Sequence, residues 1–287
     1  MLEHLLKRFR LRVQSIHEVE DSFSSTVYRC RLLGGEALYL KIPYNKIKFQ
    51  RELEAYEILE DRVATPKMLD YWDGDEVCAG AFLLSELKGS PLTTEASSNV
   101  AFQIGVLHAS MHDIMPPENR DLFGMKNEFP NWSSFIENQF YSFAEDVKGT
   151  LDEQLYHLAI EKFEKMKQQL PSPDGPSFIH MDFRPANIIV NKGNVSGVLD
   201  FESVRFGSTE IDFTKLYRDF LDEDSRLSKA YQEGYKSIRP LIDLEAVLPF
   251  YRFADAFNSI GWCNRRGTEK NVAFLEENMK KLREFVL

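Results

Sequence analysis

The stretch HMDFRPANIIVNKGNVSGVLDFE, His180 to Glu202, constrains the fold more tightly than any other part of the chain. Two short apolar runs, NIIVN and VSGVLDF, flank Lys192-Gly193-Asn194, and the pattern predicts a β-hairpin. Polar residues stand at fixed places around it: His180, Asp182 and Asn187 before or at its start, Asp200 at its end. In an antiparallel pair, a residue opening one strand and a residue closing its partner lie side by side, so Asn187 and Asp200 converge on one point. Oxygen ligands arriving from two segments suit Mg²⁺, which keeps several waters and binds one or two carboxylates plus substrate phosphates. Asp182, in the loop facing that point, is suited to accept a proton from a substrate hydroxyl or to orient it. Taken singly, Asp and Asn around Pro185 read as turn residues. The four together, between apolar β-runs, read as a site. His180 ends an apolar run, and its expected task is to hold the loop by hydrogen bonds.

The rest of the chain divides by pattern. Thr26–Leu33 and Glu36–Ile42 are strand-like runs joined at Gly34-Gly35, and TPKMLDYWDGDEVCAGAFLLSEL reads as two further strands around Asp73-Gly74-Asp75. Between them Phe49, Leu53, Tyr56 and Leu59 recur at helical spacing and predict an amphipathic helix over Lys46–Asp61. KGSPL, Lys88 to Leu92, is a break. Beyond it, helices are predicted over Val100–Met111, Trp132–Ala144 and Leu151–Leu170, then the β-island, then a mainly helical remainder.

A chain of 287 residues that is 43% hydrophobic can bury a sizeable core. Its formal charge of -10 disfavours nucleic-acid and anionic-membrane partners and makes a cationic or neutral small substrate the easier expectation. Three scattered cysteines, Cys30, Cys78 and Cys263, indicate neither a disulfide framework nor a zinc site, which fits a cytoplasmic location. MLEHLLKRFRLRV lacks the apolar core and cleavage site of a secretory leader, and no later run predicts a membrane span.

The quoted hairpin resembles the signature of the aminoglycoside phosphotransferase and choline kinase-like family of small-molecule kinases. The resemblance extends over roughly Val27 to Leu216. Lys41 in LYLKIP resembles the family's nucleotide-contacting strand lysine, and Glu52 in FQRELEAY its helix partner. LLSELKGSPL, with Ser85 and Leu87, resembles the hinge that meets adenine, and IGVLHASMHDI is similar to the helix LG..LA.LH. The resemblance implies an α+β, protein-kinase-like bilobal fold, with a β-rich N-lobe over residues 1–87 and a larger, mainly helical C-lobe over 88–287. It implies phosphoryl transfer from ATP, with GTP an alternative donor, to a hydroxyl of a small molecule that is aminoglycoside-like, an amino alcohol or a sugar. Asp182 would be the catalytic base or hydroxyl-orienting group, Asn187 and Asp200 the Mg²⁺ ligands, and Lys41, paired with Glu52, the contact to the α and β phosphates. Asp212 in STEIDF resembles the aspartate that supports the catalytic loop from behind, alongside His180. Glu54 and Glu57 share a helix with Glu52, and Glu52 is the one expected to face inward.

The sequence also departs from protein kinases. GxGxxG is missing, and EDSFSSTVY stands there instead, with Ser22, Ser24 and Ser25 offering groups to phosphate; Ser24 is the expected contact. DFE replaces DFG, which puts a second carboxylate, Glu202, near the metal, while Arg184 lies beside the hydroxyl site and suits either an anionic substrate group or, equally, a salt bridge within the loop. On the acceptor side Tyr251, Asp255, Asn258 and Trp262 recur at helical intervals; Asp255 and Trp262 are candidate acceptor contacts, while Tyr251 and Trp262 equally suit a packed core. The intact set Lys41, Asp182, Asn187 and Asp200 favours a kinase over the alternative, a catalytically inactive nucleotide-binding regulatory module of the same fold.

Overall fold

The computed structural model describes residues 1–19, 25–267 and 271–287. Ser22 and Ser24 of the expected phosphate turn therefore lie outside the described residues, and only Ser25 falls inside. The chain opens with α1 (Leu2–Arg8), β1 (Val13–Glu18), β2 (Ser25–Leu32), β3 (Ala37–Pro43), α2 (Lys46–Leu59), β4 (Met68–Trp72) and β5 (Ala81–Ser85). The five strands form one antiparallel sheet in the order β1-β2-β3-β5-β4. The β2–β3 turn is longer than the two-glycine hairpin expected: Leu32 N donates to Glu36 O, and Gly35 alone takes a left-handed φ of 87°. This is the three-residue loop with a glycine in the left-handed position.

The sheet has two faces. Leu38 and Leu40 of β3 turn to one, where Leu5 of α1 and Phe9 just after it join them in a small separate core. Lys41, one residue on, leaves by the opposite face, toward α2. Asn45 caps α2, accepting from Lys48 N at 3.0 Å.

The second region is mainly helical. It contains β6 (Ser90–Pro91), α3 (Ser98–His112), α4 (Trp132–Ser142), α5 (Ala144–Lys148), α6 (Glu153–Lys167), β7 (Ser177–Ile179), β8 (Ile188–Asn191), β9 (Asn194–Val198), β10 (Arg205–Gly207), α7 (Glu210–Leu216), α8 (Ser225–Lys236), α9 (Leu244–Arg266) and α10 (Val272–Val286). The helix expected over Trp132–Ala144 breaks at Phe143, whose ring packs where Gly261 of α9 leaves no room for a Cβ. A wide π-type turn, Tyr217–Leu221, continues α7. Lys88–Leu92 is not a plain break: Ser90 and Pro91 pair with Val190 and Ile189 of β8. Gly89 permits this, with φ at 129° and Val190 O so near that an added Cβ would clash. Among the described residues, no helix is long and apolar enough to cross a membrane.

Arg51 and Glu54 tie α2 to the helical region. Arg51 donates to Gly124 O and to Glu202 O, at 3.1 and 2.9 Å. Glu54, 5% exposed, accepts the N–H groups of Phe123, Gly124 and Met125 at 2.6 to 3.1 Å. Glu52 and Glu54 are thus both buried, one on each side of α2, where a single inward face was expected. Glu54→Ala strands three N–H groups and is expected to cost about 3 kcal/mol in urea unfolding. A loss below about 1 kcal/mol would contradict that clamp.

Candidate active site

β7 carries the chain into His180 and the loop beyond it. Behind the loop, Asp212 of α7 is fully enclosed and accepts two successive backbone N–H groups, from His180 at 2.5 Å and Met181 at 2.6 Å. Met181 is held at φ 67°, a conformation an unbranched residue adopts at a cost, and these charge-assisted bonds offset that cost. His112 donates from Nε2 to Asp212 at 3.4 Å and accepts from the Tyr235 hydroxyl at Nδ1. His108 lies against them, its Nδ1 2.7 Å from the Tyr231 hydroxyl. Burial, reinforced by His112, pushes His108 down to about 3, so its ring is neutral at ordinary pH. Burial would raise Asp212, but the His108 and His112 rings beside it, His112 by a hydrogen bond, hold its carboxyl far below the usual range. Asp212 is the third helical residue of α7, not the N-cap.

His180 closes the loop as expected. Its Nε2 donates to Leu199 O at 2.9 Å, and Nδ1 accepts from Asp182 N at 3.3 Å. Leu199 N in turn donates to Asn187 O at 2.8 Å, stitching the two ends of the hairpin together. Lys192 and Gly193 both have positive φ, 50° and 77°, so the β8–β9 connection is a two-residue type I′ turn.

Asp182 projects from this loop, and both its oxygens are engaged. Lys215 Nζ lies 2.6 Å from Oδ1, while Arg184 Nε and Asn187 Nδ2 donate to Oδ2 at 3.1 and 3.0 Å. Burial would raise its pKa; Lys215 and Arg184 outweigh it and hold the carboxyl below the usual range. Asn187 also donates Nδ2 to Asp182 O, so its two donor hydrogens are used and its Oδ1 remains as an acceptor.

Across the cleft, Lys41 Nζ bonds Glu52 Oε1 and Asp200 Oδ1, each at 2.8 Å. Lys41 is 6% and Glu52 0% exposed. Burial by itself would lower Lys41, but Asp200 and Glu52 keep its ammonium well above its ordinary value. The structure therefore brings together Lys41, Glu52 and Asp200 in one group, and Asp182, Asn187, Arg184 and Lys215 in another, joined through the hairpin. The remaining face of Asp200, whose side chain is 36% exposed, and the Asn187 Oδ1 form a hard-oxygen donor pair, the chemistry Mg²⁺ requires.

Other expected residues lie elsewhere. Glu202 is buried against α2, where Lys48 Nζ reaches it at 3.0 Å. Asp255 is bonded to Arg218, which also holds Asp219, so its carboxylate is already engaged. Tyr251 is a core residue that accepts from Trp132 Nε1 at 2.9 Å, and Trp262 is half-buried on the same helix. In the segment linking the regions, Ser85 Oγ accepts from Lys67 N at 2.9 Å, and Leu87 packs near Gly197 of β9. Lys215 was not singled out by the sequence, although it follows Asp212 by one helical turn and shares its face.

Glu210, at the start of α7, accepts Asp174 N at Oε1, and its Oε2 is buried without a hydrogen-bond partner among the described residues. Burial pushes its carboxyl up to about 7 from an ordinary 4.5. The folded chain then keeps a proton that the unfolded chain loses, so this stabilisation is complete at low pH and disappears as pH rises through 7. Glu210→Gln is expected to match wild type in Tm near pH 4 and to exceed it at pH 8 by about 2–3 kcal/mol of stability. Parallel Tm profiles would contradict the shift.

A sheet whose buried lysine crosses to a hairpin carboxylate, facing a loop aspartate set over a helical region, defines a protein-kinase-like bilobal fold. The sequence matches the model of the phosphotransferase enzyme family over residues 15–250, and the chain belongs to that family. Solved structures agree on the fold. It is similar to the GDP and kanamycin complex of APH(2")-IIia, with a TM-score of 0.79 at 15% identity, covering 99% of this chain and 97% of that one. It is similar to the macrolide 2'-phosphotransferase MphH from Brachybacterium faecium, with a TM-score of 0.71 at 17% identity over 99% and 97% of the two chains. A Plasmodium vivax ethanolamine kinase has a TM-score of 0.66 at 15% identity, over 96% and 83%. No curated protein matches the sequence.

Proposed function

We propose that the chain is a cytoplasmic, ATP- and Mg²⁺-dependent kinase that moves the γ-phosphoryl group to a hydroxyl of a small molecule. The observation that carries this reading is the Lys41–Asp200 contact. It sets a phosphate-binding cation against a metal-type carboxylate, one hairpin away from an ionised Asp182. Phosphoryl transfer needs little covalent help from protein and much positioning, which such an arrangement supplies.

In this reading the lobes are residues 1–87 and 88–287, with adenine against Ser85 and Leu87 and phosphates against Lys41 and Ser24. GTP is an alternative donor; structures of similar fold were determined with GDP or ADP. Glu52 fixes the direction of Lys41. Asn187 Oδ1 and Asp200 would hold Mg²⁺, which neutralises charge on the transferring phosphate. Asp182 accepts a hydrogen bond from the acceptor hydroxyl and orients its lone pair; held below the usual carboxylate range, it orients more than it takes the proton. Asp212 and His180 keep the loop in place. Three buried, unpaired thiols support the reducing compartment.

Thermal shift with ATP, with and without Mg²⁺, tests the reading. Metal-dependent stabilisation of about 2.7 kcal/mol is expected at a nucleotide concentration a hundredfold above Kd. No response to either addition would overturn it.

A further inference from the structure

We infer that the acceptor is an anionic alcohol, with a carboxylate or phosphate close to the hydroxyl that is phosphorylated, and that Lys215 and Arg184 hold that anionic group. The inference rests on the phosphotransfer reading and deepens it.

The charge balance differs on the two sides of the cleft. Lys41 is one cation facing two acidic groups, Glu52 and Asp200, surroundings that suit an incoming divalent metal. Asp182 is one carboxylate facing two cations, Lys215 and Arg184, a net of +1 (2 - 1). Their side chains are 30% and 40% exposed, so both cations are open to solvent beside the aspartate that is to meet the acceptor.

An entering hydroxyl must take a place on Asp182 that one of these cations now holds. Lys215 occupies Oδ1, while Oδ2 is shared between Arg184 and Asn187. The displaced ammonium or guanidinium then needs a new anion within a few ångströms, and an acceptor that carries one next to its hydroxyl provides it. A polycationic acceptor would instead meet like charge at the point of transfer.

Three acids near this stretch, Asp219, Asp222 and Asp255, are ion-paired with arginines. Arg218 and Asp219 lie three and four residues beyond Lys215, on its side of the chain, and Arg218 binds both Asp219 and Asp255. Arg252 holds Asp222 at 2.6 Å.

Three-carbon probes that differ in one group test the inference: glycerol, glycerate and glycerol 3-phosphate, with ethanolamine against serine and with kanamycin as the polycation. Coupled ADP release gives kcat/KM for each with wild type, Lys215→Met, Lys215→Arg and Arg184→Met. We expect the anionic member of a pair to be favoured at least about tenfold. Lys215→Met should abolish most of that preference through KM, and Lys215→Arg should restore part of it. Comparison of glycerate with glycerol 3-phosphate tells which anion the pair of cations is built for. The inference is overturned if the neutral member or kanamycin is preferred, or if Lys215→Met lowers turnover of every acceptor equally, which would assign Lys215 to the transferring phosphoryl group. In those cases metal-dependent nucleotide binding and ADP release persist, and the phosphotransfer reading stands. If neither occurs with any probe, both fall together.

Discussion

Asp182→Asn is expected to lower phosphoryl transfer by roughly 10²–10⁴-fold while leaving nucleotide binding almost untouched. The amide preserves size, and the side chain still reaches Asn187 and the loop. What it loses is the charge that balances Lys215 and Arg184 and that, in the proposed reading, meets the acceptor's hydroxyl. Because these cations are partly exposed, the fold should tolerate the change, and urea unfolding should move by less than about 1 kcal/mol. The pH behaviour has a definite sign. Asp182 is held below the usual carboxylate range, so it is ionised from acid pH upward, and its share of activity and stability is present above the ordinary carboxylate pKa and lost only as pH falls through its lower folded value. Asp182 should therefore contribute an acidic limb to wild-type kcat below the ordinary carboxylate pKa, and a limb above it that vanishes in Asp182→Asn would contradict this picture.

Asp200→Asn is expected to have an effect at least as large, and through a different step. Asp200 has φ 69°, a left-handed conformation that asparagine also adopts, so this substitution isolates the charge where alanine would add backbone strain. It removes the negative charge that, in the proposed reading, faces the metal, and turns the ion pair with Lys41 into a neutral-acceptor contact, while Lys41 keeps Glu52. Several kcal/mol of transition-state stabilisation are at stake, equivalent to about three orders of magnitude in rate. In thermal shift the increment that Mg²⁺ adds to ATP should disappear, whereas Asp182→Asn should retain it. Equal metal increments in wild type and Asp200→Asn would remove Asp200 from the metal site.

Much of this arrangement was legible before any coordinates. The β8–β9 hairpin was plain because β-branched runs flank a Lys-Gly pair able to take positive φ twice. Helices α2, α3 and α6 were plain because their apolar period is regular and Asn45, Ser97 and Asp152 cap them. Lys41 could be assigned a face from Leu40 and Ile42 alone, and it does emerge opposite the small core under α1. What escaped depends on partners far along the chain. β6 is two residues long and exists only because Gly89 lets the backbone meet Val190. β10 pairs with β7 across the whole hairpin, and nothing local in Arg205–Gly207 marks a strand. The break between α4 and α5 follows from Phe143 meeting Gly261 on α9. Helix α1 is different, since Leu2, Leu5, Leu6 and Phe9 do carry a helical period that was read only for targeting.

The site shows the same division. Asp182, Asn187, Asp200, His180 and Asp212 come together because they sit on one hairpin, its loop and the helix behind it. Glu52 was separable from Glu57 but not from Glu54, because α2 is packed on two sides, against the sheet and against residues 123–125. Asp255 and Glu202 were chosen for charge and position, and a sequence does not reveal that Arg218 and Lys48 already hold them. Lys215 went unnoticed for the converse reason: a lone lysine on a helix is usually solvated, and only the distance of 2.6 Å to Asp182 gives it a role.

The central claim is that this cleft transfers the γ-phosphoryl group to a small-molecule hydroxyl through Asp182. Its most direct test is to follow phosphorus by NMR in a mixture of enzyme, ATP, Mg²⁺ and the pooled alcohols, beside the same mixture with Asp182→Asn. The account predicts a new phosphate-ester signal that grows as ATP falls with wild type and is nearly absent with the variant. ATP turned over with no ester formed, or ester formed at equal rates by both proteins, would contradict it.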